Sequence, residues 1–286
     1  MQKINCKVGH LGDYEKQKDY LICVDSDGCA MDTMDIKHFQ CFGPCMVVEW
    51  QLFQWEEAIL KRWNEINLYT MTRGINRFKG LAMALREINA TYCSIEEIEM
   101  LERWVAESKE LSNPALKKAI EESDSAILKK ALSWSESVSA KINKLPFEVK
   151  KPFDGVKEAL AFAHEYADVA IVSSANLHAV IEEWEYYELL EHVDIIMAQD
   201  AGSKAYCIGE MLKKGYLHEN VMMVGDALGD YEAARKNGVF YYPVLVRKEK
   251  DSWAEFKETA VRKLMDGSFA GVYQEQKVQE FLNNLA

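Results

Sequence analysis

The chain has 286 residues, 49% of them hydrophobic, which suffices for one large domain or two smaller ones, each with its own core. A formal net charge of -12 argues against non-specific attraction to nucleic acid or to an anionic membrane, since both need clustered Lys and Arg. No stretch approaches the roughly 20 consecutive apolar residues of a membrane span, and the opening MQKINCKVGHLGDYEKQKDY lacks the apolar run of a signal peptide. The expected address is the cytoplasm, with neither nucleic acid nor membrane as partner.

The first strand-like run is YLICVD, residues 20–25, and directly behind it DSDGCAMDTM crowds Asp25, Asp27 and Asp32. Cys23 lies inside that run, where a free thiol behaves as a small hydrophobe. Seven cysteines, an odd number, do not form a disulfide framework, and Cys41 and Cys45 in CFGPC match no common zinc or redox spacing. Reduced thiols are expected. Residues 33–149 hold no convincing strand: VVEWQLFQWEEAILKRWNEINLYTM, SIEEIEMLERWVAESKEL and NPALKKAIEESDSAILKKALSWSESVSAKINKL all carry helical apolar spacing with charged faces. Asn113 before Pro114 marks a helix start. Trp50, Phe53 and Trp63 form a stripe at helical spacing, expected to be core, although exposed aromatics here would permit a homodimer. Between two of these helices, TRGINRFKGL supplies two glycines and the cations Arg73, Arg77 and Lys79.

Past residue 150 the pattern changes. FDGVKEALAFAHEYA reads as a helix, and apolar runs at 169–174, 193–200, 221–226 and 239–246 then alternate with helical segments. Strand alternating with helix implies right-handed crossovers and a doubly wound, Rossmann-like parallel sheet. The run at 20–25 belongs to that sheet by character. The expected organisation is therefore an α/β core from residues 1–32 and 150–286, interrupted by an all-helical domain at 33–149. The tail from 251 adds two amphipathic segments.

In such a sheet ligands bind beyond the C-terminal ends of the strands. Polar residues stand there: Asp25 and Asp27 after the first run, Ser173 and Ser174 after the second, Lys204 at the foot of a later helix, Asp226 and Asp230 in GDALGD. Each alone reads as a cap, a turn former or a solvated charge. Together they bring four carboxylates, hydroxyls and a cation to one sheet edge. Two carboxylates about 4 Å apart repel by about 1 kcal/mol in water and nearer 4 kcal/mol at an effective dielectric of about 20, so the set needs a cation. Asp-rich donors without paired Cys or His favour a hard ion, and Mg2+ suits a site that also holds phosphate. A calcium loop starting at Asp25 fails, because its sixth position is Ala30 and its twelfth Ile36.

The order DSDG, SS, GSK, GDALGD resembles the four motifs of the haloacid dehalogenase superfamily of aspartate-nucleophile phosphohydrolases. The resemblance covers the whole α/β core, and the insertion after the first motif resembles the superfamily's helical cap. It implies that Asp25 attacks phosphorus and that Asp27 serves as acid and base. Mg2+ would be held by Asp25, the Asp27 carbonyl, Asp226 and Asp230, the last either ligating or orienting a water. Ser173 would donate to the phosphoryl group, with Ser174 beside it and the backbone N–H groups around Gly28 serving the same oxygens, and Lys204 would neutralise charge. Dehalogenases of the superfamily lack the second aspartate, so Asp27 points to phosphoryl transfer; Gly28 in place of threonine and the absence of spans exclude a P-type ATPase. TRGINRFKGL is similar to an R/K-G-x-x-R motif in the cap of the β-phosphoglucomutase branch, which would turn Arg77, and with it Arg73 and Lys79, toward a second anionic group. Asp32 is expected to cap or hinge the insertion. The implied function is a phosphatase for a small phosphorylated metabolite; the alternatives are a sugar-phosphate mutase, which shares every core residue, and a non-catalytic phosphometabolite-binding protein.

Overall fold

The structure, a computed structural model, describes residues 11–286. The chain divides into two compact units, one running to Met34 and resuming over Pro146–Ala286, the other spanning Asp35–Leu145. Strand β1 (Tyr20–Val24) is buried from Leu21 onward and carries no charged side chain. Helix α1 (Met34–Lys37) begins on the last residue of the first segment and enters the second unit, which also holds α2 (Gly43–Glu49), α3 (Glu56–Asn64), α4 (Arg77–Thr91), α5 (Ile98–Glu107), α6 (Asn113–Ser123) and α7 (Ala126–Ile142). Its core is its own: Trp63, Phe78, Leu81, Leu101, Trp104 and Trp134 lie in one cluster, with Trp63 and Trp134 edge to face at 6.0 Å and Phe78 and Trp104 at 5.1 Å. The expected stripe divides. Trp63 is buried and Trp50 partly so, whereas Phe53 is 59% exposed, because it sits in a separate 3-10 turn, Phe53–Trp55, ahead of α3. The long helical run from Asn113 breaks at Asp124, which takes φ +53 between α6 and α7, and the Ser112 hydroxyl caps α6 by accepting from the Ala115 N–H.

The first unit resumes with α8 (Val156–Tyr166), β2 (Ala167–Val172), α9 (Leu177–Tyr186), β3 (Ile195–Met197), α10 (Lys204–Leu212), β4 (Val221–Gly225), α11 (Leu228–Asn237), β5 (Phe240–Pro243), α12 (Glu249–Glu255), α13 (Val261–Met265) and α14 (Val272–Leu285). All five strands are parallel, in the order β3-β2-β1-β4-β5. The doubly wound α/β sheet expected from the sequence is present. Four of its strands are shorter than the apolar runs, and β2 has the length of its run but starts two residues earlier; β3 keeps three residues because the chain beyond it winds into the turn Gln199–Ala201. β1 lies between β2 and β4, where the strand order reverses direction, so the crevice for a ligand opens at the C-terminal ends of β1 and β4. No described helix is long and apolar enough to cross a membrane.

Candidate active site

Asp25 follows β1, and its N–H donates to the Val224 carbonyl at 3.0 Å, extending the pairing with β4 by one bond. The next turn is wound tightly around Ser26, whose carbonyl accepts the N–H groups of Cys29, Ala30 and Met31 at 3.3, 3.0 and 2.8 Å. Gly28 takes φ +80, a conformation with little steric cost only for glycine. Its N–H donates to the Met31 carbonyl at 2.8 Å, so this donor, expected for phosphate oxygens, is engaged within the turn. The Asp27 carboxylate accepts from the Thr33 hydroxyl at 2.6 Å. Asp32 stands outside the cluster of acids and gives its N–H to the Lys151 carbonyl at 2.8 Å.

Lys204 is the first residue of α10, fixed there by Ser203, whose hydroxyl accepts from the Tyr206 N–H at 3.2 Å. Its ammonium lies 2.9 Å from Asp25 Oδ1 and 2.6 Å from Asp230 Oδ1. Asp230, in the first turn of α11, accepts the Ala227 N–H on Oδ2 at 3.1 Å. Gly225 makes room for it, since a Cβ at that position would stand 2.3 Å from Asp230 Cγ. Asp226 follows β4 directly and is buried.

One oxygen from each of Asp25, Asp226 and Asp230 lies within 4.8 Å of the other two. Burial raises the Asp25 and Asp230 carboxyls above the ordinary carboxylate range, the Lys204 ammonium offsetting part of the rise. Burial disfavours the Lys204 charge in turn, but the carboxylates of Asp230 and Asp25 outweigh it and hold the ammonium well above its usual value. Three buried carboxylates facing one ammonium leave excess negative charge in a region where desolvation is costly. Oxygen donors alone, with no thiolate or imidazole among them, fit a hard divalent cation such as Mg2+.

Ser173 is buried at the end of β2; its N–H donates to the Met197 carbonyl at 2.9 Å and its hydroxyl oxygen accepts from the Ala175 N–H at 3.1 Å, an arrangement that leaves the hydroxyl proton for a donor role. Ser174 is exposed. In the helical unit TRGINRFKGL is not all loop: Arg77 and Lys79 lie in the first turn of α4, capped by Asn76. Arg77 Nη1 donates to the Ser135 and Ser139 hydroxyls, both at 3.1 Å, and its guanidinium lies 5.2 Å from the centre of the Phe42 ring. Arg73 is buried and donates to the Leu68 carbonyl at 2.7 Å, while Lys79 is exposed. Thr33, Ser26 and the tryptophans Trp184 and Trp253, whose indole N–H groups donate to the Ser26 hydroxyl and the Cys29 carbonyl, carry no sequence signal of this kind; Ser26, between the two aspartates, and Thr33, six residues past Asp27, stand close enough in the chain to be suspected.

The sequence model of the family described as haloacid dehalogenase-like hydrolase matches residues 88–244, more than half of the chain. The matched stretch holds Ser173, Lys204, Asp226 and Asp230, whereas Asp25 and Asp27 precede it. Among solved structures, a haloacid dehalogenase-like family hydrolase from Xanthomonas campestris aligns over 93% of this chain and 98% of its own, at TM-score 0.50 and 14% identity. A protein from Lactobacillus delbrueckii subsp. bulgaricus, provisionally named a phosphoglycolate phosphatase, aligns over 93% and 99%, at TM-score 0.50 and 15% identity. No curated protein sequence matches the chain.

Proposed function

Because the chain belongs to the haloacid dehalogenase-like hydrolases, we propose that it is a Mg2+-dependent phosphatase acting on a small phosphorylated metabolite through an aspartyl-phosphate on Asp25. The observation that carries this reading is the contact of the buried Asp25 and Asp230 with Lys204, with Asp226 beside them, at the C-terminal ends of β1 and β4. Asp25 attacks phosphorus as the bond to the leaving oxygen breaks, and Asp27 gives that oxygen a proton. Asp27 then takes a proton from water, whose oxygen attacks the phosphorus, releasing phosphate and restoring Asp25. Thr33 holds the Asp27 carboxylate meanwhile. Lys204 neutralises Asp25 and the charge that develops on the phosphoryl oxygens, and Ser173 donates to them. Asp25, Asp226 and Asp230, with the Asp27 carbonyl, are the residues to hold Mg2+, which when bound supplies positive charge to the phosphoryl group.

The helical unit is proposed to select the substrate, with Arg77 as the main candidate and Arg73 and Lys79 behind it. Arg77 already spends one nitrogen on α7, so any anion must be met by the rest of the fork. A mutase would use the same core acids and differs in keeping the phosphoryl group.

The test is phosphate release from an aryl phosphate. Wild type is expected to be active with Mg2+ and inactive after chelation, and Asp25→Asn to be inactive throughout. Equal activity of the two proteins sinks the assignment of Asp25, and isomerisation dependent on a bisphosphate activator, without steady phosphate release, favours the mutase.

A further inference from the structure

The turn that carries Asp25 and Asp27 is held from behind by α9, a helix from the far side of the insertion. The Trp184 indole N–H donates to the Ser26 hydroxyl at 2.9 Å, and both residues are fully buried. Ser26 stands between the two aspartates in the chain, and its carbonyl already gathers three N–H groups of the turn. Its hydroxyl is the handle that lies between the two acids, while the Trp253 indole N–H holds the turn further on, at the Cys29 carbonyl, at 3.0 Å. The residues of α9 next to Trp184 are anchored to the chain's return segment: Glu183 lies 3.5 Å from the Lys150 ammonium, both buried. Just past the helix the Tyr187 hydroxyl donates to the Phe147 carbonyl at 2.7 Å, and the Tyr186 ring stacks on Phe147 at 4.8 Å. That return segment is bonded in turn to the far end of the first-motif turn, through the Asp32 N–H to the Lys151 carbonyl at 2.8 Å and the Phe153 N–H to the Ala30 carbonyl at 3.0 Å. The turn is therefore clamped at both ends against one helix.

We propose that Trp184 is a positioning residue for Asp25, acting through Ser26 within the clamp that α9 makes with residues 147–153. The inference rests on the phosphatase reading. A nucleophile displaced by about 1 Å loses on the order of 100-fold in rate while substrate binding is largely kept, so the signature is a fall in kcat without a change in KM.

The experiment compares wild type, Trp184→Phe, Ser26→Ala and the double variant on an aryl phosphate with Mg2+, with thermal melting of each. Trp184→Phe keeps an aromatic ring and removes the donor; Ser26→Ala removes the acceptor. Each single variant is expected to lose about 10- to 100-fold in kcat with KM held within about twofold, and the double variant to lose no more than the worse single one, as two partners of one bond require. If Trp184→Phe does not fold, Ser26→Ala alone decides. Losses that multiply, losses confined to KM, or a Ser26→Ala protein with wild-type kcat overturn the positioning role. A wild type that releases no more phosphate than Asp25→Asn overturns the phosphatase reading first, so the two failures are distinguishable.

Discussion

At the scale of single residues, the site depends on contacts that place two acids differently. Asp25 is paired with the largely buried Lys204 ammonium, whereas Asp27 is held by a neutral hydroxyl and is partly exposed, the arrangement wanted by the proposed acid–base role. Replacing Thr33 by Val keeps the shape and removes that hydroxyl. On the proposed mechanism, kcat for phosphate release falls about 10-fold, and Thr33→Ser recovers most of it. A second prediction concerns Gly225. An alanine there meets Asp230 at 2.3 to 2.5 Å, so the carboxylate must leave its seat and its 2.6 Å contact with Lys204. Gly225→Ala is expected to cost about 1 to 3 kcal/mol in stability and, on the phosphatase reading, about 100-fold or more in activity, read by denaturant unfolding and steady-state kinetics. Retained activity would mean that Asp230 has no fixed role.

At the scale of elements, the sheet is joined to its helices by partly buried polar contacts as well as by packing. Asp194, just before β3, accepts the Val169 N–H at 2.8 Å and contacts His164 Nε2 of α8 at 3.1 Å. Burial raises its carboxyl, but the bonds from His164 and Val169 prevail and hold it below the ordinary range. A folded pKa below the unfolded one makes the stabilisation fully present above the unfolded value, about 3.9 for an aspartate, and removes it as pH falls through the folded value. Asp194→Asn is therefore expected to lose about 1 to 2 kcal/mol near neutral pH and to converge with wild type in acid, as measured by urea unfolding across pH. A difference constant with pH would assign the effect to shape rather than charge. The elements themselves were largely legible, because apolar runs of Val and Ile have few places to go except a parallel sheet covered on both faces. Their ends were not: β2 starts at Ala167, directly after α8, because it pairs there with Tyr20 far back along the chain, and the long helix from Asn113 breaks at Asp124, a left-handed cap whose N–H donates to the Ile120 carbonyl.

At the scale of the whole molecule, the two units have separate hydrophobic cores. One is built around the sheet, with Trp184, Trp253 and Phe256 among its largest members, and the other around Trp63, Phe78 and Trp134. Residues 35–145 expressed alone are expected to form a helical domain with a cooperative melt, monitored by far-ultraviolet circular dichroism. Trp134→Ala in that fragment should cost about 3 to 5 kcal/mol; a fragment that is helical but melts without cooperativity would show that its core needs the rest of the chain.

The sequence by itself determined the class of fold and the presence of a helical insertion, and it marked Asp25, Lys204, Asp226 and Asp230 as candidates, because each stands just past an apolar run or in the first turn of a helix, and strand ends in such a sheet converge. Tertiary structure decided how they are held. Trp184 and Ser26 stand 158 residues apart, Gly225 matters only for the space it leaves beside Asp230, and the Gly28 N–H is taken by Met31. Those are facts of close packing and hydrogen-bond geometry, which fix distances between residues that periodicity and spacing along the chain leave unrelated.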